Sequence, residues 1–135
     1  MTLATFVTAA VLQAIPFTTV AGGTASQIDE PRRVIVRTAE EFQALWKTHS
    51  SAPLPKVDFT QSIVVGVFLG TRPTTGYGVA VTGVRRQGKS AIVEWQEFLP
   101  DKTKMLAQML TSPFHLVAIP RDSAPVEFLK TAGGG

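Results

Sequence analysis

Residues 62–70 read SIVVGVFLG, and this stretch decides the fold class because almost every side chain in it is apolar. A strand with one solvated face alternates apolar and polar residues. A continuous apolar run bounded by turn signals is instead typical of a strand that is covered on both faces. The sequence therefore predicts a buried strand over residues 62–69 at the centre of a sheet.

Short strand-like segments surround this central run. Turn sequences such as RRQGKS, LPDKTK and PRDSAP separate them. Strands are predicted over residues 15–20, 33–37, 77–84, 90–98, 105–110, 114–119 and 125–129. Their regular spacing and the single helical period predict a mainly β fold with one α-helix: an antiparallel β-sandwich or barrel-like sheet covered by that helix.

The helix is predicted from TAEEFQALWKTH at residues 38–49. Thr38 is a good N-cap, and Glu41 stands three residues later, where it can complete a capping box. The side chains that follow at helical spacing fall on one face. They are Phe42, Leu45, Trp46 and His49.

Length and composition indicate one globular domain. The chain has 135 residues, of which 44% are hydrophobic and 17% charged, and this is enough for a single core. We assign residues 15–130 to the domain and residues 131–135 to a flexible tail. The net charge of +3 comes without a basic stripe, so a nucleic-acid partner is not expected.

The apolar residues 1–14 leave three interpretations open: a signal-peptide remnant, a first strand of the domain, or a disordered extension. They are too short and too rich in threonine to span a bilayer. The absence of cysteine excludes disulfides and thiolate chemistry, so redox chemistry does not indicate a compartment.

No catalytic or metal-binding constellation is found in the sequence. The two histidines, His49 and His115, lack carboxylates at ligand spacing, and the simplest interpretation is surface or hydrogen-bonded core histidines. Glu94 and Glu97 are three residues apart on a strand, so they project to opposite faces and do not form an acid–base pair. We expect no enzymatic activity, metal or cofactor.

The segment GTRPTTGY at residues 70–77 combines residues that restrict the backbone with two glycines that relax it. It is interpreted either as a hairpin connection to the next strand or as a preorganised recognition loop. The candidate protein-binding residues are Arg72, Pro73, Thr74, Thr75, Gly76 and Tyr77.

Most of the chain resembles the C-terminal domain of the protease complex subunit PrcB family. The matching segments, in order, are GGTASQIDEPRRVIVRTAEEFQALW, VDF, VVGVFLGTRPTTGY and LTSPFHLVAIPR. The resemblance implies a bacterial, extracytoplasmic β-rich domain, secreted or periplasmic, that associates with a protease and has no catalytic residue of its own.

The loop at residues 72–77 is also similar to the NPTTG element of the chagasin-type inhibitors of cysteine peptidases, with Arg72 in place of Asn. We therefore expect a non-enzymatic exported domain that binds another protein, as a protease-complex subunit or stabiliser. The alternatives are a chagasin-like protease inhibitor and a small-ligand-binding or enzymatic domain.

Overall fold

The computed structural model describes residues 13–131. Eight strands and one helix follow one another along this part of the chain. They are β1 (Gln13–Ala14), β2 (Thr18–Gly23), β3 (Arg32–Val36), α1 (Ala39–His49), β4 (Ser62–Phe68), β5 (Gly78–Gln87), β6 (Ser90–Phe98), β7 (Phe114–Pro120) and β8 (Val126–Lys130).

The strands form two four-stranded sheets. The first sheet has the order β1-β5-β6-β8 and the second has the order β2-β7-β4-β3. All pairs are antiparallel except that β8 runs parallel to β6. Neither sheet closes on itself, so the predicted mainly β fold is confirmed as a sandwich and not as a barrel.

The central strand β4 explains how the layers are stacked. Val64 and Phe68 pack on one face of the second sheet with Phe42 and Trp46 of α1. Ile63 and Val65 pack on its other face with Val81 and Val93 of the first sheet, and six of the seven residues of β4 are buried. The second sheet is therefore the middle layer, as the continuous apolar run of β4 predicted.

Helix α1 begins as its sequence predicts. The Thr38 Oγ1 accepts a hydrogen bond from the Glu41 N–H at 3.1 Å, which caps the first turn. The Glu41 carboxylate accepts the Arg37 N–H at 2.8 Å, one residue earlier than a standard capping box requires. Phe42, Trp46 and His49 are buried, so the predicted apolar face is confirmed.

Two strand predictions need correction. Residues 105–110 form no strand but lie in a connection that runs from β6 to β7 across the surface. Of the strand predicted over residues 15–20, only residues 18–20 are in a strand, β2, and residues 15–17 connect β2 to the preceding β1.

The interpretations of the apolar N-terminus concern residues that lie mostly outside the described range. Within that range, Gln13 and Ala14 pair with Arg86 and Arg85 of β5. Residues 132–135 of the predicted tail also lie outside it. Between residues 13 and 131 the structure has no helix long and apolar enough to cross a membrane.

Candidate functional site

The predicted recognition loop carries the chain from one sheet to the other, because β4 lies in the second sheet and β5 in the first. The hairpin interpretation is therefore wrong. Gly70 and Gly76 adopt φ angles of +81° and +98°, in the region that favours glycine. A Cβ atom at Gly76 would also lie 2.6 Å from the Pro100 Cβ, so this position requires glycine for space as well.

Backbone hydrogen bonds attach this loop to the segment that precedes β7. Arg72 and Thr111 exchange two of them, with N···O distances of 2.7 and 2.9 Å. The Thr75 N–H also donates to the Ala107 carbonyl oxygen at 3.2 Å. The loop is therefore held at both its beginning and its middle.

The Thr75 hydroxyl attaches the loop to the same segment, whereas the Thr74 hydroxyl bonds within the loop. The Thr75 Oγ1 accepts the Ala107 N–H at 3.1 Å, and the Thr74 Oγ1 donates to the Thr75 carbonyl oxygen at 2.9 Å. The Thr111 Oγ1 donates to the Thr74 carbonyl oxygen at 3.0 Å. Thr74 and Thr75 are half-buried, while Pro73 and Gly76 are exposed.

Arg72 is directed inward and forms an ion pair. Its guanidinium donates from Nε and Nη2 to the Glu97 Oε2 at 3.2 and 3.0 Å, and from Nη1 to the Leu69 carbonyl oxygen at 3.1 Å. It also lies over the Tyr77 ring, 5.8 Å from the centroid. The positive charge of Arg72 is therefore already paired with a carboxylate.

Glu97 accepts two cations. Lys130 Nζ lies 3.2 Å from its Oε1, beside the pair with Arg72. Burial favours the neutral form of Glu97, but the hydrogen bonds and charges of Arg72 and Lys130 outweigh burial and hold the pKa of this carboxyl below its ordinary value. Glu94 pairs instead with Arg85 at 3.6 Å, so the two glutamates serve separate partners.

The connection from β6 to β7 contains an apolar surface that the sequence prediction missed. Leu99, Met105, Met109 and Leu110 are 59%, 99%, 56% and 72% exposed. We call these four residues the exposed apolar cluster. They were assigned in part to a strand at 105–110, but MLAQML does not alternate with period two. The missing alternation was the signal in the sequence that this segment is not a half-buried strand.

Both histidines are hydrogen-bonded, as expected. The buried His49 lies 2.8 Å from the Ser26 Oγ through its Nδ1. The His115 Nδ1 accepts the Val81 N–H at 2.9 Å, and its Nε2 lies 2.9 Å from the Thr19 Oγ1. Burial lowers the pKa of both imidazoles. Residues 13–131 contain no group of three or more His, Asp or Glu side chains placed to hold a metal ion.

The fold and the loop define a mainly β sandwich domain with a structured inter-sheet loop. Residues 63–120 match the family model described as PrcB C-terminal. The match runs from β4 to β7 and includes both the loop and the exposed apolar cluster. It confirms the PrcB family resemblance over this segment.

No curated protein and no solved structure matches the chain significantly. The similarity of the loop to chagasin-type inhibitors is not confirmed by the family match. Inhibition of a peptidase through residues 72–77 therefore stays a prediction.

Proposed function

We propose that this is a non-enzymatic, extracytoplasmic domain that binds a protease as a subunit or stabiliser of its complex. The observation that carries the proposal is the exposed apolar cluster. Four large, exposed apolar side chains lie in this single connection, and a surface that concentrates such side chains is typical of interaction sites. Methionine is well suited to such a surface because its flexible, polarisable side chain adapts to the partner.

The neighbouring loop at residues 72–77 supports the assignment of the same surface to the partner. Its threonines and Arg72 are held by hydrogen bonds to residues 107–111 and to Glu97, so the loop and the cluster-bearing segment are fastened together. A surface ordered before binding loses less conformational entropy when a partner docks. We therefore place the protease on a face composed of the exposed apolar cluster, Pro73 and Gly76.

Photo-crosslinking tests this proposal. A benzophenone amino acid replaces Met105 in the full chain, expressed in the cells that make it, and crosslinked proteins are identified by mass spectrometry. We expect a crosslink to a peptidase whose activity co-purifies with the adduct. Lys89 is the matched control, because it is exposed in the β5–β6 turn, at the opposite end of β6 from the cluster.

Two outcomes would contradict the proposal. One is that Met105 and Lys89 positions capture the same proteins. The other is that Met105 captures no peptidase. With the crosslinker at Met105, a second substitution in the cluster such as Leu110→Ser should reduce the crosslinked complex while changing the melting temperature little, because the Leu110 side chain is 72% exposed.

A further inference from the structure

At one end of the sandwich, the layer between the two sheets changes from apolar to charged. Arg33 lies directly opposite Val67 in the β3–β4 pair, and Lys130 lies opposite Trp95 in the β6–β8 pair. Directly paired residues point to the same face of a sheet. Because Val67 and Trp95 pack together between the sheets, Arg33 and Lys130 point into the same layer.

These residues line a cleft of about 310 Å³. Positive side chains outnumber negative ones in this cleft. The cleft contains one carboxylate, that of Glu97, and three cationic side chains, those of Arg33, Arg72 and Lys130. Arg32 also lines the cleft, but it pairs with Phe68, so its side chain points to the opposite face of the sheet. Glu97 pairs with Arg72 and Lys130. Among residues 13–131, neither Arg32 nor Arg33 has a carboxylate within ion-pair distance, so the cleft has an excess of positive charge.

Trp95 forms part of the cleft wall and is 5% exposed. The Arg33 Cζ and the Lys130 Nζ lie 5.6 and 5.3 Å from its ring centroid. Cation–π attraction at these distances holds both side chains at the ring. Within the described part of the chain, the buried Trp95 Nε1 has no hydrogen-bond partner, and such donors are rare in folded proteins.

We propose that this cleft binds a carboxylate group, with the Arg33 guanidinium as its principal contact. The planar fork of arginine matches the two oxygens of a carboxylate. The same fork fits phosphate, but the Glu97 carboxylate lies in the cleft and repels an incoming anion in proportion to its charge. A singly charged carboxylate is therefore favoured over a doubly charged phosphate.

The size of the cleft restricts the ligand. A volume of about 310 Å³ is at the small end of ligand pockets, so it fits a small organic acid or the last residue of a peptide. Both present the same carboxylate. Arg72 connects the cleft to the loop of the proposed protease-binding face, but free probe molecules can test the cleft without the partner.

Nuclear magnetic resonance of the two indole N–H groups provides the assay. The Trp46 Nε1 donates to the Ala52 carbonyl oxygen at 2.8 Å and serves as an internal reference. The full chain is titrated with acetyl-trialanine bearing a free carboxylate, with its carboxamide, with propionate and with inorganic phosphate. We expect the free-carboxylate peptide to shift the Trp95 resonance saturably, with no response to the carboxamide and little movement of Trp46.

The other probes identify the source of the carboxylate. Saturable binding of propionate, with or without the peptide, indicates a site for small organic acids, whereas binding of the peptide alone indicates a chain terminus; both support the proposal. Phosphate binding as tight as that of either carboxylate would overturn it. So would the absence of any saturable shift at probe concentrations up to roughly 10 mM.

Two arginine variants complete the test. Arg33→Gln should weaken peptide binding about tenfold or more, because a charge-assisted contact is lost. Arg85→Gln is the matched control, since Arg85 pairs with Glu94 away from the cleft and should leave affinity unchanged. Both variants are first compared with the unmodified chain by thermal melting. If the two folded variants bind the peptide with equal affinity, Arg33 does not contact the ligand and the proposal is wrong.

Discussion

At the scale of single residues, His115 joins three strands of the two sheets. Its Nδ1 accepts the N–H of Val81 in the first sheet, while Thr19 and His115 itself belong to the second. An imidazole that accepts at Nδ1 and remains neutral carries its proton on Nε2, so it donates to the Thr19 hydroxyl. Protonation of Nδ1 would place a hydrogen against the Val81 N–H.

Stability should therefore decrease in mild acid. The pKa of His115 is lowered in the folded protein by burial, so the unfolded chain binds more protons below its ordinary value of about 6.5. The unfolding free energy should be fully retained above that value and should fall as the pH drops toward the folded pKa. His49, whose pKa burial also lowers, adds to this dependence.

Urea unfolding between about pH 7.5 and pH 5 measures the effect. His115→Gln removes the titration at this position, so its unfolding free energy should fall less steeply with acid than that of the unmodified chain. It should also be about 1–2 kcal/mol less stable at neutral pH because of the lost hydrogen bonds. Parallel pH curves for the two proteins would show that His115 is not responsible.

Trp46 anchors α1 on the middle sheet. It is 7% exposed, and its ring centroid lies 5.9 Å from that of Phe42 and 4.6 Å from that of His49. Trp46→Ala should lower the unfolding free energy by about 3–5 kcal/mol, because it leaves a large cavity. The neighbouring exposed Lys47→Ala should change it by less than about 0.5 kcal/mol. A loss below about 1 kcal/mol for Trp46→Ala would contradict the anchoring role.

At the scale of elements, the sequence predicted the features that depend on residues close together in the chain. The capping residue and helical spacing located α1, and the apolar run of β4 revealed a strand between two layers. The inward position of the loop was not predictable, because its partners Ala107 and Thr111 are more than thirty residues away in sequence. The charged cleft was missed for the same reason: β3, β6 and β8 meet only through tertiary pairing.

The Thr75 hydroxyl should control how firmly the loop holds the cluster-bearing segment. Thr75→Val keeps the side-chain shape but removes the acceptor for the Ala107 N–H. We expect faster hydrogen exchange at Ala107, a loss of about 1 kcal/mol in stability and weaker capture of the proposed protease. Thr82→Val is the control, since its hydroxyl lies on an exposed strand position. Unchanged hydrogen exchange at the Ala107 N–H would show that the Thr75 hydroxyl does not hold this segment.

At the scale of the whole molecule, the two sheets are joined by polar side-chain contacts as well as by apolar packing. His115 links them in the interior, and the Arg72–Glu97 pair fastens the inter-sheet loop to β6 at one end. The charged cleft and the exposed apolar cluster both adjoin this end through residues 72–77 and 97–110. The opposite end of β6 follows the short turn at residues 88–89 and contacts the segment that leads into β8 through the Ala91 N–H, which donates to the Pro125 carbonyl oxygen.

The beginning of the described chain also contributes to this assembly. The Ile15 N–H donates to the Val84 carbonyl oxygen at 2.8 Å, and the side chains of Ile15 and Phe17 pack against the core between the sheets. The domain boundary predicted at residue 15 therefore lies within a segment that is attached to β5. Removal of residues 1–17 should lower the unfolding free energy by about 2–4 kcal/mol, because two half-buried apolar side chains and β1 are lost.

Removal of residues 1–12 alone is the matched comparison. It leaves β1, Ile15 and Phe17 in place, so the melting temperature should stay within about 2 °C of that of the full chain, a shift that corresponds to well under 1 kcal/mol for a domain of this size. This result is also expected if the apolar N-terminus is a signal remnant. If the shorter deletion destabilises the domain as much as the longer one, residues 1–12 are part of the fold, and the proposed export loses the support of a removable N-terminus.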